Sequence, residues 1–263
     1  MARIDPLPME ALAEHKEHLQ LIEQASGYVP NSMRTMARVP GLLDAFYTMV
    51  ATVLRNTVLS RELTQMISLM ASKTAGCRYC QAHTAYGATR LGVAEEKVVD
   101  IWSFETSEHF DEAERAALRL AVAGAAVPNA ATDELFDAAR VYYSEDELAA
   151  IVAVKAMFGY LNRWNDTMGT QLEEAPAAFG ERVLGAKGWD LGPHMSFPSG
   201  PIMNRRAHRC LTWSPTASSF WDSEYLGCLI TSRDGPPYRG SQIRALCDEF
   251  DIGRLALGAV VLL

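Results

Sequence analysis

The 263-residue chain has no uninterrupted apolar stretch near the ~20 residues that a membrane-spanning helix needs. Its opening, Met1-Ala-Arg-Ile-Asp-Pro6, lacks the apolar core of a secretory signal, so the sequence reads as cytoplasmic. Basic side chains are the scarcer sign: 24 Lys and Arg stand against 32 Asp and Glu, a formal charge of -8. That balance argues against a nucleic-acid backbone as the main partner. Before residue 195 there is no alternating strand pattern, and no internal repeat occurs anywhere. Apolar residues still make up 49%, enough to bury a core.

The chain divides near His194. Residues 1–194 carry 17 basic and 26 acidic side chains and are rich in Ala, Glu, Leu and Met. Residues 195–263 are rich in Ser, Pro, Gly and Arg, with runs such as Phe197-Pro-Ser-Gly-Pro201. The expected organisation is one helical domain over 1–194 and a poorly ordered C-terminal extension, without catalytic role, over 195–263.

Helical signals fill the first part. Met9 to Gln24 reads as a weakly amphipathic opening helix, and Gly41 to Leu54 repeats apolar residues at helical spacing. Ser60 suits an N-cap for a helix that Gly76 ends, and a further helix runs from Tyr79 to Arg90. Ala94 to Phe104 is a short helix. Asp111-Glu-Ala-Glu114 and Ser144-Glu-Asp-Glu147 are capping boxes, the second opening the longest apolar helix. Thr132 caps one helix, and Pro176 to Leu184 forms a last short one. The fold class is all-α, a bundle of roughly eight helices with short connections.

The sharpest local feature is Gly76-Cys77-Arg78-Tyr79-Cys80-Gln81-Ala82-His83. Two thiols at this spacing can close a small disulfide ring when the second sits in a helix's first turn. There the partial positive charge favours thiolate over thiol. His83 lies one turn after Cys80, within reach of a proton exchange. Three readings compete. Two buried structural thiols are the plainest. A zinc site would want four ligands, and only Cys77, Cys80 and His83 cluster in the sequence. A redox dithiol is preferred, but not of the thioredoxin type, since no βαβ pattern surrounds the motif.

The stretch Glu62-Leu-Thr-Gln-Met-Ile-Ser-Leu-Met-Ala-Ser-Lys-Thr-Ala-Gly-Cys-Arg-Tyr-Cys-Gln-Ala-His-Thr84 resembles the core of the carboxymuconolactone decarboxylase superfamily. More narrowly it resembles the alkylhydroperoxidase D-like (AhpD-like) branch. The resemblance covers about residues 10–194 and includes Phe158-Gly-Tyr-Leu-Asn-Arg-Trp-Asn-Asp166. The decarboxylase branch lacks the cysteine pair, so the pair points to the redox branch. The resemblance implies an AhpD-like helical bundle that reduces hydroperoxides, with no metal or other cofactor. It implies Cys80 as the peroxidatic sulfur, Cys77 as the resolving one and His83 in a proton relay. From the residues alone, Cys77 could equally attack a partner's disulfide. The expected partners are a small hydroperoxide, a thiol or disulfide reductant and further copies of the chain.

Two departures from the family pattern stand out. Two residues, not three, separate Cys80 from His83, which turns the histidine by about 100° around the helix. Gln65 occupies the usual place of the relay glutamate, and Glu62, one turn earlier, is the candidate substitute. Gln65, Tyr79, Asn162 and Arg163 are the candidate substrate-pocket residues. Tyr79, Tyr86, Trp102 and Trp164 also read as packing residues, and Asn162, Arg163 and Asp166 read equally as lining a pocket near the thiols or as a helix-end cap. His15 and His18, on a charged helix, read as solvated. Two alternatives from other classes remain: a non-catalytic redox-sensing or binding module, and a cofactor-free lyase acting on a small organic acid.

Overall fold

The computed structural model describes residues 2–55 and 57–195, so the expectation for the C-terminal extension lies outside the described residues. Among the described residues there are ten α-helices and no strand. They are α1 Lys16–Ser26, α2 Asn31–Met36, α3 Leu42–Val50, α4 Arg61–Ala75, α5 Arg78–Arg90, α6 Glu95–Asp100, α7 Glu112–Ala125, α8 Asp133–Arg140, α9 Glu145–Met168 and α10 Glu174–Phe179. No described helix is long and apolar enough to cross a membrane.

Helix α4 is the axis of the bundle and packs against α5, α7 and α9. Ser60 caps it by accepting from the Leu63 N–H. Its Met66, Ile67, Leu69 and Met70 are all but closed to water. Each such burial contributes about 1.5–3 kcal/mol. Thr64, Ser68, Ala71 and Ser72 are buried too, so α4 has almost no wet side in its middle. The hydroxyls of Ser68 and Ser72 stay satisfied by bonding the carbonyls of Thr64 and Ser68 one turn back. The helices packed on it carry buried alanines: Ala82, Ala85 and Ala88 on α5, and Ala116, Ala117 and Ala121 on α7. Small side chains at these contacts let the helix axes approach closely.

The boundaries follow local chemistry. Both capping boxes form, at Asp111–Glu114 and Ser144–Glu147. The sequence reading gave no helix at α2, Asn31–Met36, which begins directly after Pro30, and two expected helices carry 3₁₀ pieces. The opening segment breaks at Leu12 into a 3₁₀ stretch, Met9–His15, and then α1. The segment after Ala94 gives α6 and a 3₁₀ turn, Ile101–Ser103. His15 and His18 are not free in solvent: each ring nitrogen Nδ1 meets Asp44 Oδ1, at 3.0 and 3.2 Å.

The last described segment is pinned to α5. After α10 the chain makes one wide helical turn, Gly180–Leu184, and Trp189 folds back over it. A Cβ at Gly180 would fall 2.7 Å from the Trp189 ring, so glycine is what allows the indole to lie there. Trp189 Nε1–H then donates to the Arg78 carbonyl at the start of α5, at 3.1 Å. Gly180→Ala is expected to displace the indole and lower unfolding stability by about 1–3 kcal/mol. Urea unfolding monitored by tryptophan fluorescence checks this, and an unchanged midpoint would contradict it.

Candidate functional site

The cysteine pair is placed by a tight α4–α5 junction. Gly76 adopts φ 77°, a left-handed conformation that ends α4. The Gly76 N–H bonds the Lys73 carbonyl and the Cys77 N–H bonds the Ser72 carbonyl, a Schellman closure. Cys77 is then at once the N-cap of α5, and Cys80 falls in its first turn. Both thiols are free and buried. Asn165 on α9 donates through Nδ2 to Cys80 Sγ at 3.4 Å. Its Oδ1 is buried without a hydrogen-bond partner.

His83 follows on α5, and its two ring nitrogens are both engaged. Nε2 lies 2.5 Å from Glu173 Oε2 and Nδ1 lies 3.1 Å from the Tyr28 hydroxyl. A phenol can donate or accept, so Tyr28 fits either protonation state of the imidazole. Glu173 is the N-cap residue of α10. Its Oε1 accepts from the Tyr79 hydroxyl at 3.0 Å and from the Asn31 N–H at 2.5 Å. The Tyr79 hydroxyl in turn accepts from the Ser32 N–H at 3.3 Å. The Tyr79 ring stacks on His83, centroids 4.2 Å apart. Burial pushes the Glu173 carboxyl up, but attraction to His83 and the hydrogen bonds from His83 and Asn31 hold it below the usual carboxylate range. Burial, with Glu173 nearby, pushes the Tyr28 and Tyr79 phenols up, so both stay protonated.

On the other side of the pair, Cys77 Sγ, a ring nitrogen of His194 and a carboxylate oxygen of Asp166 lie within 4.8 Å of one another. Burial pushes the Cys77 thiol up, and Cys80 and Asp166 push the same way, while a hydrogen bond from His194 opposes them.

The structure relocates several of the sequence candidates. Cys77, Cys80, His83 and Tyr79 come together. Glu62 does not join them: it is exposed and pairs with Lys97 at 2.9 Å, which also holds Glu114. The carboxylate at His83 is Glu173, whose sequence position gave no local signal. Gln65 Oε1 lies against Gly87, one turn beyond His83 along α5. Asn162 is buried, with Nδ2 3.4 Å from the Ala71 carbonyl. Arg163 faces away from the thiols, into a surface cavity of about 770 Å³ that it lines with Gly124, Lys155, Tyr160 and Trp164. Of the aromatics, Trp164 packs and donates to Thr35 Oγ1, whereas Tyr79 both packs and bonds Glu173. Sequence reasoning missed Tyr28, Asn165, Glu173 and His194; Asp166, one of its two readings being a place near the thiols, lies beside Cys77 and pairs with His194.

The helical bundle thus sets a Cys-x-x-Cys pair at one helix N-terminus, beside a part-buried His–Glu pair. The family model for the carboxymuconolactone decarboxylase family matches residues 40–123. The debrominase Bmp8, solved as a cysteine-to-alanine variant in complex with 2,3,4-tribromopyrrole, is 34% identical with a TM-score of 0.66, over 70% of this chain and 98% of that one. Its apo form is 35% identical with a TM-score of 0.65, over 69% and 97%. The chain belongs to the carboxymuconolactone decarboxylase family. An uncharacterized peroxidase-related protein from Ralstonia eutropha JMP134, an alkylhydroperoxidase AhpD core, shares the fold at 20% identity and a TM-score of 0.61, over 66% of this chain and 94% of that one. The uncharacterized protein YdfG of Bacillus subtilis (strain 168) is 24% identical over 113 residues, 42% of this chain and 74% of its own.

The depressed Glu173 carboxyl makes a stability prediction. A group whose folded pKa lies below its unfolded value stabilises above the unfolded pKa, near 4.5, and loses this as pH falls through the folded value. Glu173→Gln is therefore expected to cost about 1–3 kcal/mol at pH 7 and to flatten the acid limb of stability against pH. Urea midpoints from pH 3 to 7 measure it; parallel curves for the two proteins would contradict it.

Proposed function

We propose that this chain is a thiol-dependent oxidoreductase that reduces a hydroperoxide by cycling Cys77 and Cys80 between dithiol and disulfide. The observation that carries the reading is two free thiols across the first turn of α5, with His83 one turn further along that helix and paired to Glu173 at the α10 N-terminus. Cys80 meets the peroxide. The helix N-terminus and the Asn165 N–H favour negative charge on its sulfur. The unpartnered Asn165 Oδ1 offers an acceptor to the hydroperoxide O–H. Cys80 is only 2% exposed, so the substrate displaces side chains that cover it.

The Cys80 sulfur attacks the terminal peroxide oxygen, the O–O bond breaks, and the products are a sulfenic acid on Cys80 and an alkoxide. The His83 relay, held by Glu173 and Tyr28, delivers the proton that turns the alkoxide into an alcohol. The Cys77 sulfur then attacks the sulfenic sulfur, expelling the oxygen as water and closing the disulfide. A dithiol reductant reopens it. Glu173 takes the relay role that the sequence reading gave to Glu62. In this reading the partners are the hydroperoxide, the reductant and further copies of the chain.

A second substrate class is favoured by the likeness to Bmp8. The same dithiol can supply two electrons to a brominated aromatic, giving the debrominated ring, bromide and the disulfide. The two readings share Cys77 and Cys80 and differ in the bond that breaks.

Peroxide consumption and bromide release from a brominated pyrrole, each with excess dithiothreitol, test both. Wild type is expected to consume peroxide, and Cys80→Ser and Cys77→Ser to lose turnover. His83→Gln is expected to slow it by about 10²-fold or more. Glu62→Gln is expected to stay within about twofold, because an exposed ion pair contributes little. No peroxide consumption, with no sulfenic acid on Cys80, would sink the hydroperoxide reading. Bromide release in its place supports the second, and a reversible disulfide without turnover of either substrate supports a redox sensor.

A further inference from the structure

His194 lies in the 3₁₀ turn Gly192–His194 and is 1% exposed. Nothing in the peroxide step uses it. Its Nδ1 is 2.8 Å from the Thr170 carbonyl oxygen, which can only accept, so Nδ1 carries a proton. Its Nε2 is 3.2 Å from Asp166 Oδ1, and an ionised carboxylate likewise only accepts, so Nε2 carries one too. The network makes His194 an imidazolium, and the Nε2 proton, held by the longer 3.2 Å contact, is the one that can move to a neighbouring sulfur. Burial opposes this charge, yet the hydrogen bonds to Asp166, Cys77 and the Thr170 carbonyl outweigh it and raise the pKa to about 9. The neighbouring sulfur, within 4.8 Å, is Cys77.

We propose that His194, oriented by Asp166, is the proton donor to Cys77, so that each sulfur of the pair has its own histidine–carboxylate relay. The proposal rests on the dithiol cycle above but not on peroxide as its substrate. Its step belongs to the reductive half of the cycle. A thiolate of a dithiol reductant attacks Cys80 Sγ, the Cys77–Cys80 bond breaks, and its electron pair moves onto Cys77 Sγ. His194 passes a proton to that sulfur and becomes neutral. The second thiol of the reductant then attacks the mixed disulfide and frees Cys80, leaving the reductant as its own disulfide. Asp166, with its side chain 42% exposed, links the buried ring to solvent for reprotonation. Without a donor, a buried Cys77 would leave as a desolvated thiolate, a poor leaving group.

The groups that face His194 are consistent with this role. Cys77 and Tyr79 come from α5, the Tyr79 ring centroid lying 5.7 Å from the imidazole. Asp166 comes from α9. Glu173 sits behind Tyr79, bonded to its hydroxyl. Arg3 reaches the α9 terminus but bonds the carbonyls of Asp166 and Thr167, leaving the Asp166 carboxylate to His194.

Histidine-ring NMR of the full chain tests the proposal in its dithiol and diamide-oxidised forms. The His194 pKa is expected near 9 with Cys77 reduced and about one unit lower in the disulfide, whose sulfur cannot ionise and so no longer adds to the attraction that raises the imidazole. Equal values in the two forms overturn the proposal, whether or not peroxide is consumed. A shift without peroxide consumption sustains it and removes only the hydroperoxide reading. Because His194 is buried and its replacement can disturb the fold, the paired variant is Asp166→Asn, at a half-exposed carboxylate. Its disulfide is expected to be reduced by dithiothreitol about tenfold more slowly at pH 7, the two rates converging above pH 9, where His194 is neutral in both proteins. An unchanged reduction rate overturns the proposal.

Discussion

Taking the Glu173 carboxylate out of water requires that its lone pairs be met, and the site is built on how that is done. A buried, unpaired charge is too costly to survive folding. Glu173 is met by an imidazole from α5, a phenol from the same helix and a backbone N–H from α2. His83 and Asn31 lie 90 and 142 residues before Glu173 in the sequence. Once the carboxylate is satisfied, the α10 N-terminus, the start of α2 and the inner face of α5 are fixed relative to one another. The orientation of His83 is a consequence of that fixation.

The sulfur pair sits between two environments of different character. On the Cys80 side are the Asn165 amide and the His83 relay, lined by aromatic rings: Tyr79 stacked on His83, Tyr28 edge-on to it, and Tyr86 beyond. On the Cys77 side is an ion pair, His194 with Asp166, that reaches solvent through the carboxylate. Burial disfavours thiolate at Cys77, and the imidazolium is the contact that moves it back. This asymmetry distinguishes the two sulfurs chemically, although both are equally closed to water. It is held by Trp189, whose indole lies over Gly180 and bonds the Arg78 carbonyl. That bond ties the segment carrying His194 to the first turn of α5.

Much of the fold was legible in the sequence because it depends on neighbours a turn apart. The capping boxes at Asp111 and Ser144, the Ser60 cap and the glycine stop at Gly76 are interactions between residues three to five apart. The thiol pair and His83 were legible for the same reason, as they share one helix start. The relay carboxylate was not. Helical spacing put Glu62 and Gln65 on α4, but it did not fix the rotation of α4 against α5. The buried faces of Ser68, Ala71 and Ser72 set that rotation, turning Glu62 outward to Lys97 and Gln65 onto Gly87. Asn162 and Arg163 show the same limit: consecutive residues on α9 point about 100° apart, so one meets the core and the other the surface cavity.

The sequence by itself therefore determined an all-helical chain and a dithiol at a helix N-terminus, since periodicity, caps and a two-residue spacer are local. The tertiary structure alone decided which carboxylates serve the site. Glu173 and Asp166 reach His83 and His194 across 90 and 28 residues. No local pattern encodes such a contact, because it exists only once the small faces of α4, α5 and α7 have packed and the buried charges have found their donors.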